Sequence, residues 1–457
     1  MRQVHNSSLM FALLGATVFF LPRAAHAVEA YAAQTGQPCS ACHVGAYGPF
    51  LTPFGRAFKM GGYTLRGGTG PGAHIPLSAM FYGSYTNTQR GQSAPVSQHY
   101  GNNGNFAMDQ INVFLAGGLT DHIGGFVQGT FDGIGSQMYW DNTDVRLAYN
   151  GTVMGHSATY GLSFNNAPGL SDPYNSTYPW GYPYVSSALN VGPLAGTLLS
   201  GSLAGNAVGV DGYAFIDNHI YVDVGLYTTM TPGFLKALGE AYGPGATNEP
   251  APYARIAYEW DWGNNNAHIG GTFFHANFNP ASSERTAIAG YGQDSYTDWM
   301  ADAEWQYIGQ VNTFTLDGHY DYETSNLGAT TALGGSTNSG NNLTDARTTF
   351  TYYYKNTYGI NVSWDSLYGN RNPLLYPGGT PDAGSADGKP DTNSLMLEAD
   401  WVPFGKANSL WAPLANLKFG VQYTMFTKFN GGTTNYDGFG RSAADNNTLF
   451  LYVWTIF

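Results

Sequence analysis

The sequence has 457 residues, a formal net charge of −13 and 11% charged residues, whereas ordinary soluble domains have about 25%. Two cysteines are too few for a disulfide scaffold, and the acidic balance argues against nucleic acid as a partner. After the first 25 residues, no apolar run approaches the ~18 residues of a membrane-spanning helix. The abundance of glycine, tyrosine and phenylalanine instead predicts an all-β chain, with an antiparallel membrane barrel as the favoured form.

Residues 1–27 have the pattern of a secretory signal peptide. Arg2 provides the positive start, an apolar stretch runs from Leu9 to Leu21, and Ala25–Ala27 is a small-residue cleavage site. The alternative is a membrane anchor, but the apolar stretch is shorter than a spanning helix requires. We therefore expect the mature protein to begin near residue 28.

Both cysteines lie in one short motif, Cys39-Ser40-Ala41-Cys42-His43. This C-x-x-C-H order is typical of c-type haem attachment, in which two thiols bind the porphyrin covalently and the adjacent histidine binds the iron. A redox-active dithiol would be expected beside a βαβ unit, and a zinc site would need further ligands. The motif therefore predicts one covalently attached haem c, held by Cys39 and Cys42, with His43 as the proximal iron ligand.

The sequence constrains the second iron ligand less closely. Thr52 and Pro53 are favourable at the start of a helix, and Gly61 is favourable just after its end. Met60 closes this helix and is a candidate distal ligand to the haem iron, because a methionine thioether suits electron transfer. The competing interpretation is that Met60 is a packing residue. The other potential donors nearby are His74, Met80 and His99.

Residues 28–70 form the predicted monohaem cytochrome c segment, a small α-helical unit before the barrel. So short a segment cannot bury a core of its own, and it needs the haem or another surface to pack against. Three basic residues, Arg56, Lys59 and Arg66, oppose a single acid, Glu29, whereas the rest of the chain is acidic. Because the linker to the first strand is short, we expect the segment to lie in the periplasmic mouth or lumen of the barrel.

From 75–457, segments of about ten residues alternate apolar and polar side chains, which is typical of barrel strands. Trp260 and Trp262, for example, share one face of a predicted strand, and Glu259 and Asp261 share the other. Short turns alternate with long Gly- and Asn-rich loops, which predicts about 16 strands. A soluble β-sandwich or β-helix is the alternative, but aromatic residues at the ends of the apolar faces favour a membrane barrel.

Many acidic side chains fall on the predicted lumen face. Such a lining attracts cations. The alternative is an ordinary hydrated lumen, whose lining residues must be polar in any case. The acids would also provide partners for the basic N-terminal segment. The predicted lining acids are Glu259, Asp261, Asp298, Asp302, Glu304, Asp317, Asp321, Glu323, Glu398 and Asp400.

Residues 34–64 read QTGQPCSACHVGAYGPFLTPFGRAFKMGGYT. This run, in which the C-x-x-C-H motif is followed by LTPFGRAFK and GYT, resembles the fused outer-membrane cytochrome–porins that act as Fe(II) oxidases in iron-oxidising bacteria. The resemblance implies a haem segment and a porin-like barrel in one chain, located in the outer membrane of a Gram-negative bacterium. The family's attachment motif maps onto Cys39, Cys42 and His43.

The resemblance also implies a function. Electrons from extracellular Fe(II) would pass through the haem to a periplasmic carrier, a c-type cytochrome or a cupredoxin, while outer-membrane lipid surrounds the barrel. The alternatives are a diffusion porin whose haem segment is a plug or redox sensor, and electron transfer in the outward direction. The sequence contains no convincing Ser/His/Asp arrangement and no P-loop.

Overall fold

The computed structural model describes residues 29–67, 76–177, 181–203, 205–238, 245–247, 249–280, 290–411 and 415–457. The predicted signal peptide, residues 1–27, lies outside the described residues. So do His74, one of the potential iron ligands, and the linker at 68–75.

The described chain begins with a helical segment, residues 29–67. Its helices are α1 (Glu29–Thr35), α2 (Cys39–Cys42) and α3 (Pro53–Met60), with a 3-10 turn at Val44–Ala46. Thr52 caps α3, because its hydroxyl accepts a hydrogen bond from the Gly55 amide at 3.2 Å. The predicted helix after Thr52 is therefore confirmed. No helix in the described ranges is long and apolar enough to cross a membrane.

Sixteen antiparallel strands follow and close into a barrel. Each strand pairs with its sequence neighbours, and the first pairs with the last, from Met80 opposite Ile456 to Thr88 opposite Thr448. A two-residue strand, Ala246–Thr247, pairs beside them. The barrel strands are β1 (Leu77–Thr88), β2 (Asn105–Gly118), β3 (Ile123–Asp132), β4 (Gln137–Val153), β5 (His156–Asn165), β6 (Ala207–Ile216), β7 (Ile220–Thr229), β8 (Ala251–Trp262), β9 (Asn265–Asn279), β10 (Asp294–Ile308), β11 (Asn312–Asn326), β12 (Gly340–Tyr354), β13 (Tyr358–Gly369), β14 (Thr392–Trp401), β15 (Asn416–Lys428) and β16 (Thr448–Ile456).

Side chains alternate between the lumen and the outside along the strands. In β8, Arg255 and Glu259 are buried inside, whereas Tyr258 and Trp260 are exposed outside. Polar residues inside and apolar residues outside are the reverse of a soluble sandwich, whose apolar faces are buried against each other. The predicted barrel and its strand count are therefore confirmed, and the sandwich alternative is wrong.

The connections between strands differ in length at the two ends of the barrel. One end has tight turns such as Met154–Gly155, and the other has mostly long loops such as 89–104. Long loops face the cell exterior in outer-membrane barrels, so β1 begins on the periplasmic side. The sequence also predicts a long Gly-containing loop at 133–138, but the structure has only the short connection 133–136, because Asp132 pairs with Gln137.

The described residues between β5 and β6, namely 166–177, 181–203 and 205–206, fold into the barrel instead of projecting outward, and we call them the inward loop. Leu170, Tyr174 and Leu189 within it are at most 3% exposed. The predicted strand count treats 194–217 as one strand plus irregular wall. The structure has that strand, β6, but the described residues before it belong to the inward loop and not to the wall. The lumen is therefore filled by the chain's own residues from the extracellular side.

The helical segment lies inside the barrel, in its periplasmic half. The Ser40 amide donates to the carbonyl of Gly405 at 3.0 Å, and the Gly118 amide donates to the side chain of Gln34 at 2.7 Å. Both contacts are close to periplasmic turns. Further contacts reach inward-facing side chains around the wall, among them Asp144, Tyr213, Glu304, Tyr353 and Asn416.

The outside of the barrel is suited to lipid. Large apolar side chains are exposed on many strands, including Ile256, Trp299, Ile360 and Trp364. Acyl chains cover such an apolar band in outer-membrane barrels, whereas exposure of the same band to water would be unfavourable in free energy. The protein is therefore a porin-like β-barrel of the Gram-negative outer membrane.

Candidate functional site

A cavity of about 380 Å³ lies where the helical segment, the barrel wall and the inward loop meet. Cys39, Cys42 and His43 line it from the segment, Tyr82 lines it from β1, and Tyr184 lines it from the inward loop. Cavities of ~300–1,000 Å³ are typical of cofactor and small-molecule sites. The structure thus brings the three predicted motif residues together on the wall of one cavity.

The motif forms a single helical turn that α3 supports. The His43 amide donates to the Cys39 carbonyl at 2.9 Å, and the Thr52 amide donates to the Cys42 carbonyl at 2.9 Å. Gly55 packs so closely on this turn that a Cβ there would lie 2.3 Å from the Cys42 carbonyl oxygen. The motif and the following LTPFGR run therefore form one structural unit, and glycine is required at position 55.

The imidazole of His43 faces the cavity as a neutral base. Desolvation lowers the pKa of His43 to about 4, although the nearby Gly48 backbone opposes this shift. The Nδ1 atom is buried and makes no hydrogen bond of good geometry within the described residues. Neutral imidazole is the form that binds metals, so the ring is in the protonation state of an iron ligand.

Both thiols lie in the cavity lining in their reduced form. They are not joined in a disulfide, and burial raises the pKa of the Cys42 thiol to about 11. In the described part of the chain, no three His, Cys, Asp or Glu side chains are arranged to hold a metal ion.

The potential distal ligands lie in different places. Met60 is 2% exposed and packs against Tyr213 and Tyr221, away from the cavity lining. Met80 lies on the lumen face of β1 and, within the described ranges, is the methionine that lines the cavity. His99 is exposed in the extracellular loop before β2.

Arg56 fixes the helical segment to the barrel wall through buried ion pairs. Its guanidinium is 1% exposed and donates to Glu259 at 3.0 Å and to Glu304 at 2.9 Å. Asn266 accepts a third hydrogen bond, and the Tyr174 ring lies 5.3 Å from the guanidinium carbon. Burial alone would lower the pKa of Arg56, but the two carboxylates outweigh burial and raise it above its ordinary value. The guanidinium therefore stays charged.

The inward loop covers the cavity from the extracellular side. The Lys59 ammonium donates to the Asp172 carbonyl at 2.7 Å, which ties the loop to the helical segment. The Tyr82 hydroxyl donates to the Ser186 carbonyl at 2.9 Å, which ties the loop to the barrel wall. As far as the chain is described, the loop and the segment together occupy the lumen at the height of the cavity.

The predicted lumen acids differ in what they contact. Within the described chain, Glu259 and Glu304 are the two that pair with the helical segment, through Arg56. Asp261 is exposed at the periplasmic end of its strand. Others hold the wall or the inward loop: Asp302 pairs with Arg255, Glu398 and Asp400 pair with Lys418, Asp321 accepts from Thr197, and Asp298 and Glu323 accept from the amides of Leu199 and Leu198.

Sequence reasoning missed the inward loop and the polar side of the cavity. Gln110, Gln128, Asp141 and Asn142 line the cavity from β2 to β4, opposite the motif. Two signals were available in the sequence. The aromatic residues concentrated in 174–184 are unusual for an exposed loop, and the consecutive polar pairs 109–110 and 141–142 interrupt the strand alternation.

No protein-family model and no curated protein matches the chain. Among solved structures, the chain is similar to OprB of Pseudomonas putida, with 10% identity, coverage of 83% of this chain and 94% of that one, and a TM-score of 0.49. It is also similar to the channel DcaP of Acinetobacter baumannii, with 10% identity, 83% and 96% coverage and a TM-score of 0.43. An anion-selective porin from Comamonas acidovorans has 10% identity, 83% and 98% coverage and a TM-score of 0.41.

Proposed function

We propose that the protein is an outer-membrane electron conduit, an Fe(II) oxidoreductase that passes electrons from extracellular Fe(II) through one haem c to a periplasmic carrier. The observation that carries this proposal is the cavity lined by Cys39, Cys42 and His43 inside a barrel that crosses the outer membrane. The carrier would be a c-type cytochrome or a cupredoxin.

The residues around the cavity fit a c-type haem. Cys39 and Cys42 would hold the porphyrin by thioether bonds, and the neutral His43 ring would bind the iron. Apolar lining residues such as Phe114 and Trp454 would exclude water from the ring faces. When bound, the haem would supply a one-electron couple, its iron passing from ferric to ferrous as one Fe(II) becomes Fe(III).

The position of the cavity favours electron transfer over diffusion of solutes. A haem outside the membrane could not pass electrons across an apolar band ~25 Å tall. A haem in a cavity within the lumen would split this crossing into two shorter electron transfers. Arg56 and Lys59 hold the helical segment and the inward loop against each other and the wall at this height. This packing supports a conduit more than it supports the diffusion-porin alternative.

The visible spectrum of the purified protein tests the proposal. The oxidised protein should show a ferric c-type haem, and anaerobic addition of Fe(II) should produce the sharp bands of the ferrous form. The matched control is the double variant Cys39→Ala, Cys42→Ala, which should give a folded barrel without haem absorption. A haem that dithionite reduces but Fe(II) does not would overturn the Fe(II) role, leaving a haem plug, a redox sensor or outward electron transfer.

A further inference from the structure

Two β-bulges interrupt the barrel wall on the polar side of the cavity. Between β1 and β2, Tyr82 opposes Gln110 and Gly83 opposes Met108, so Asp109 is an extra residue without a partner. Between β3 and β4, the pairing jumps so that Gln128 faces both residues of the pair 141–142. Bulges re-aim side chains and are enriched beside functional sites.

Each bulge turns two consecutive polar residues toward the lumen. Gln110, Asp141 and Asn142 line the cavity, and Asp109 is 4% exposed. In a regular strand, one residue of each consecutive polar pair would face lipid, and placing a carboxylate or amide there costs free energy. We call Asp109, Gln110, Gln128, Asp141 and Asn142 the polar wall.

The carboxylate of Asp141 is held in place by neutral donors. Gln128 donates to it at 2.8 Å, Thr130 at 2.7 Å and Asn142 at 2.9 Å. No lysine, arginine or histidine among the described residues forms an ion pair with it, whereas Glu259, Glu304 and other lumen acids do have such partners. Asp141 is also the acid that lines the cavity, as far as the structure describes the lining.

Asp109 lies nearer the extracellular end, because its neighbour Gln110 pairs with Asp132 at the end of β3. Neither carboxylate oxygen of Asp109 makes a hydrogen bond of good geometry within the described chain, although the Ser84 and Ser187 hydroxyls are close. Two neighbouring hydroxyls compensate a buried carboxylate only in part, and the rest of its desolvation remains a cost in free energy. A cation between the exterior and the cavity would compensate it.

We infer that the polar wall binds a hydrated divalent cation and delivers it to the cavity, and that this cation is Fe(II) in the function proposed above, on which the inference rests. Carboxylate and amide oxygens are suited to hard divalent cations. One or two carboxylates, without a closed cage, leave several waters on the ion. An ion held in this way keeps most of its waters, and one electron would pass from Fe(II) to the haem iron.

Binding of Mn(II) to the full-length haem protein, followed by electron paramagnetic resonance, tests this inference. Mn(II) has the charge and ligand preference of the substrate class but does not reduce the haem. We expect Asp109→Asn and Asp141→Asn each to weaken Mn(II) binding about tenfold or more, and Asp141→Glu to retain it. Asp261→Asn, which removes the same charge at the periplasmic end, should bind as wild type does.

The rate of haem reduction separates this inference from the proposed function. In Asp109→Asn and Asp141→Asn, reduction by Fe(II) should slow about tenfold or more, while reduction by dithionite should be unchanged. Unchanged Mn(II) binding in a variant that carries both Asp109→Asn and Asp141→Asn, or no Mn(II) binding in the wild type, would overturn the polar wall even if Fe(II) still reduces the haem. Failure of Fe(II) to reduce the wild-type haem would instead overturn the proposed function, whatever Mn(II) does.

Discussion

The guanidinium of Arg56, in α3 of the helical segment, donates a 2.9 Å hydrogen bond to the carboxylate of Glu304 on the barrel wall. Both side chains are at most 2% exposed, so water and salt screen the pair little. Removing one partner of a buried pair leaves an uncompensated charge, which costs about 3–5 kcal/mol. This contact therefore helps to determine where the segment, and with it the cavity, lies in the barrel.

Replacement of Arg56 tests this anchor. Arg56→Met should leave Glu259 and Glu304 buried without their cation, which destabilises the docked segment by about 3–5 kcal/mol. A displaced segment opens the lumen, so the variant should conduct more than the wild type in planar bilayers. Protease should also cleave residues 29–67 faster in the variant.

Two further variants control for the loss of charge. Arg66 is exposed and donates a single hydrogen bond to the Gly118 carbonyl, so Arg66→Gln should leave conductance unchanged. The triple variant Arg56→Met, Glu259→Gln, Glu304→Gln removes the whole buried pair network and should recover much of the docking, because neutral replacements of buried ion pairs are tolerated. Equal conductance of Arg56→Met and the wild type would contradict the anchor.

The barrel could be predicted from the sequence because lipid on one side and a polar lumen on the other impose a strict alternation. Trp260 and Glu259 point to opposite sides as that alternation requires. The alternation breaks at the polar pairs 109–110 and 141–142, but it does not show how the chain accommodates the break, because a bulge depends on pairing with neighbouring strands. It also could not reveal that the inward loop folds back, since that path depends on contacts across the lumen.

Some residues of the candidate site could be predicted from the sequence, and others could not. Cys39, Cys42 and His43 lie within five consecutive residues, so a local motif in the sequence could identify them as candidates for holding the proposed haem. The partners of Arg56 were not, because Glu259 and Glu304 are more than 200 residues away and reach it only through the register of the barrel.

Removal of the thiols should abolish covalent haem. The double variant Cys39→Ala, Cys42→Ala should lose haem staining on denaturing gels but keep a heat-modifiable barrel in the outer membrane, because the strands pair independently of the motif. Ser40→Ala, which leaves both thiols in place, should stain as wild type does. Staining that survives the double substitution would contradict thioether attachment.

Because Met80 lines the cavity and Met60 does not, we expect Met80 to be the distal ligand of the proposed haem. Met80→Leu should lower the midpoint potential and remove the weak red-region band of a ferric haem with a sulfur ligand. Met60→Leu, a swap of similar volume in a tyrosine cluster, should change neither. If the band is lost in Met60→Leu but kept in Met80→Leu, Met60 and not Met80 is the distal ligand.

The filled lumen predicts a poor channel. In planar bilayers the wild type should conduct far less than an open 16-stranded porin, because the helical segment and the inward loop occupy the lumen. Deletion of residues 29–67 should raise the conductance. A wild type that conducts as freely as an open porin would favour the diffusion-porin alternative.

Electron transfer across a sealed membrane tests the central claim most directly. Proteoliposomes would contain the wild-type protein, with a soluble c-type cytochrome trapped inside in one batch and an Fe(II) chelator trapped in another. After Fe(II) is added outside, we expect the trapped cytochrome to be reduced while the chelator stays colourless, and neither to change with the Cys39→Ala, Cys42→Ala barrel. Equal reduction by both proteins, accompanied by colouring of the chelator, would show that Fe(II) itself diffuses through and would contradict the conduit.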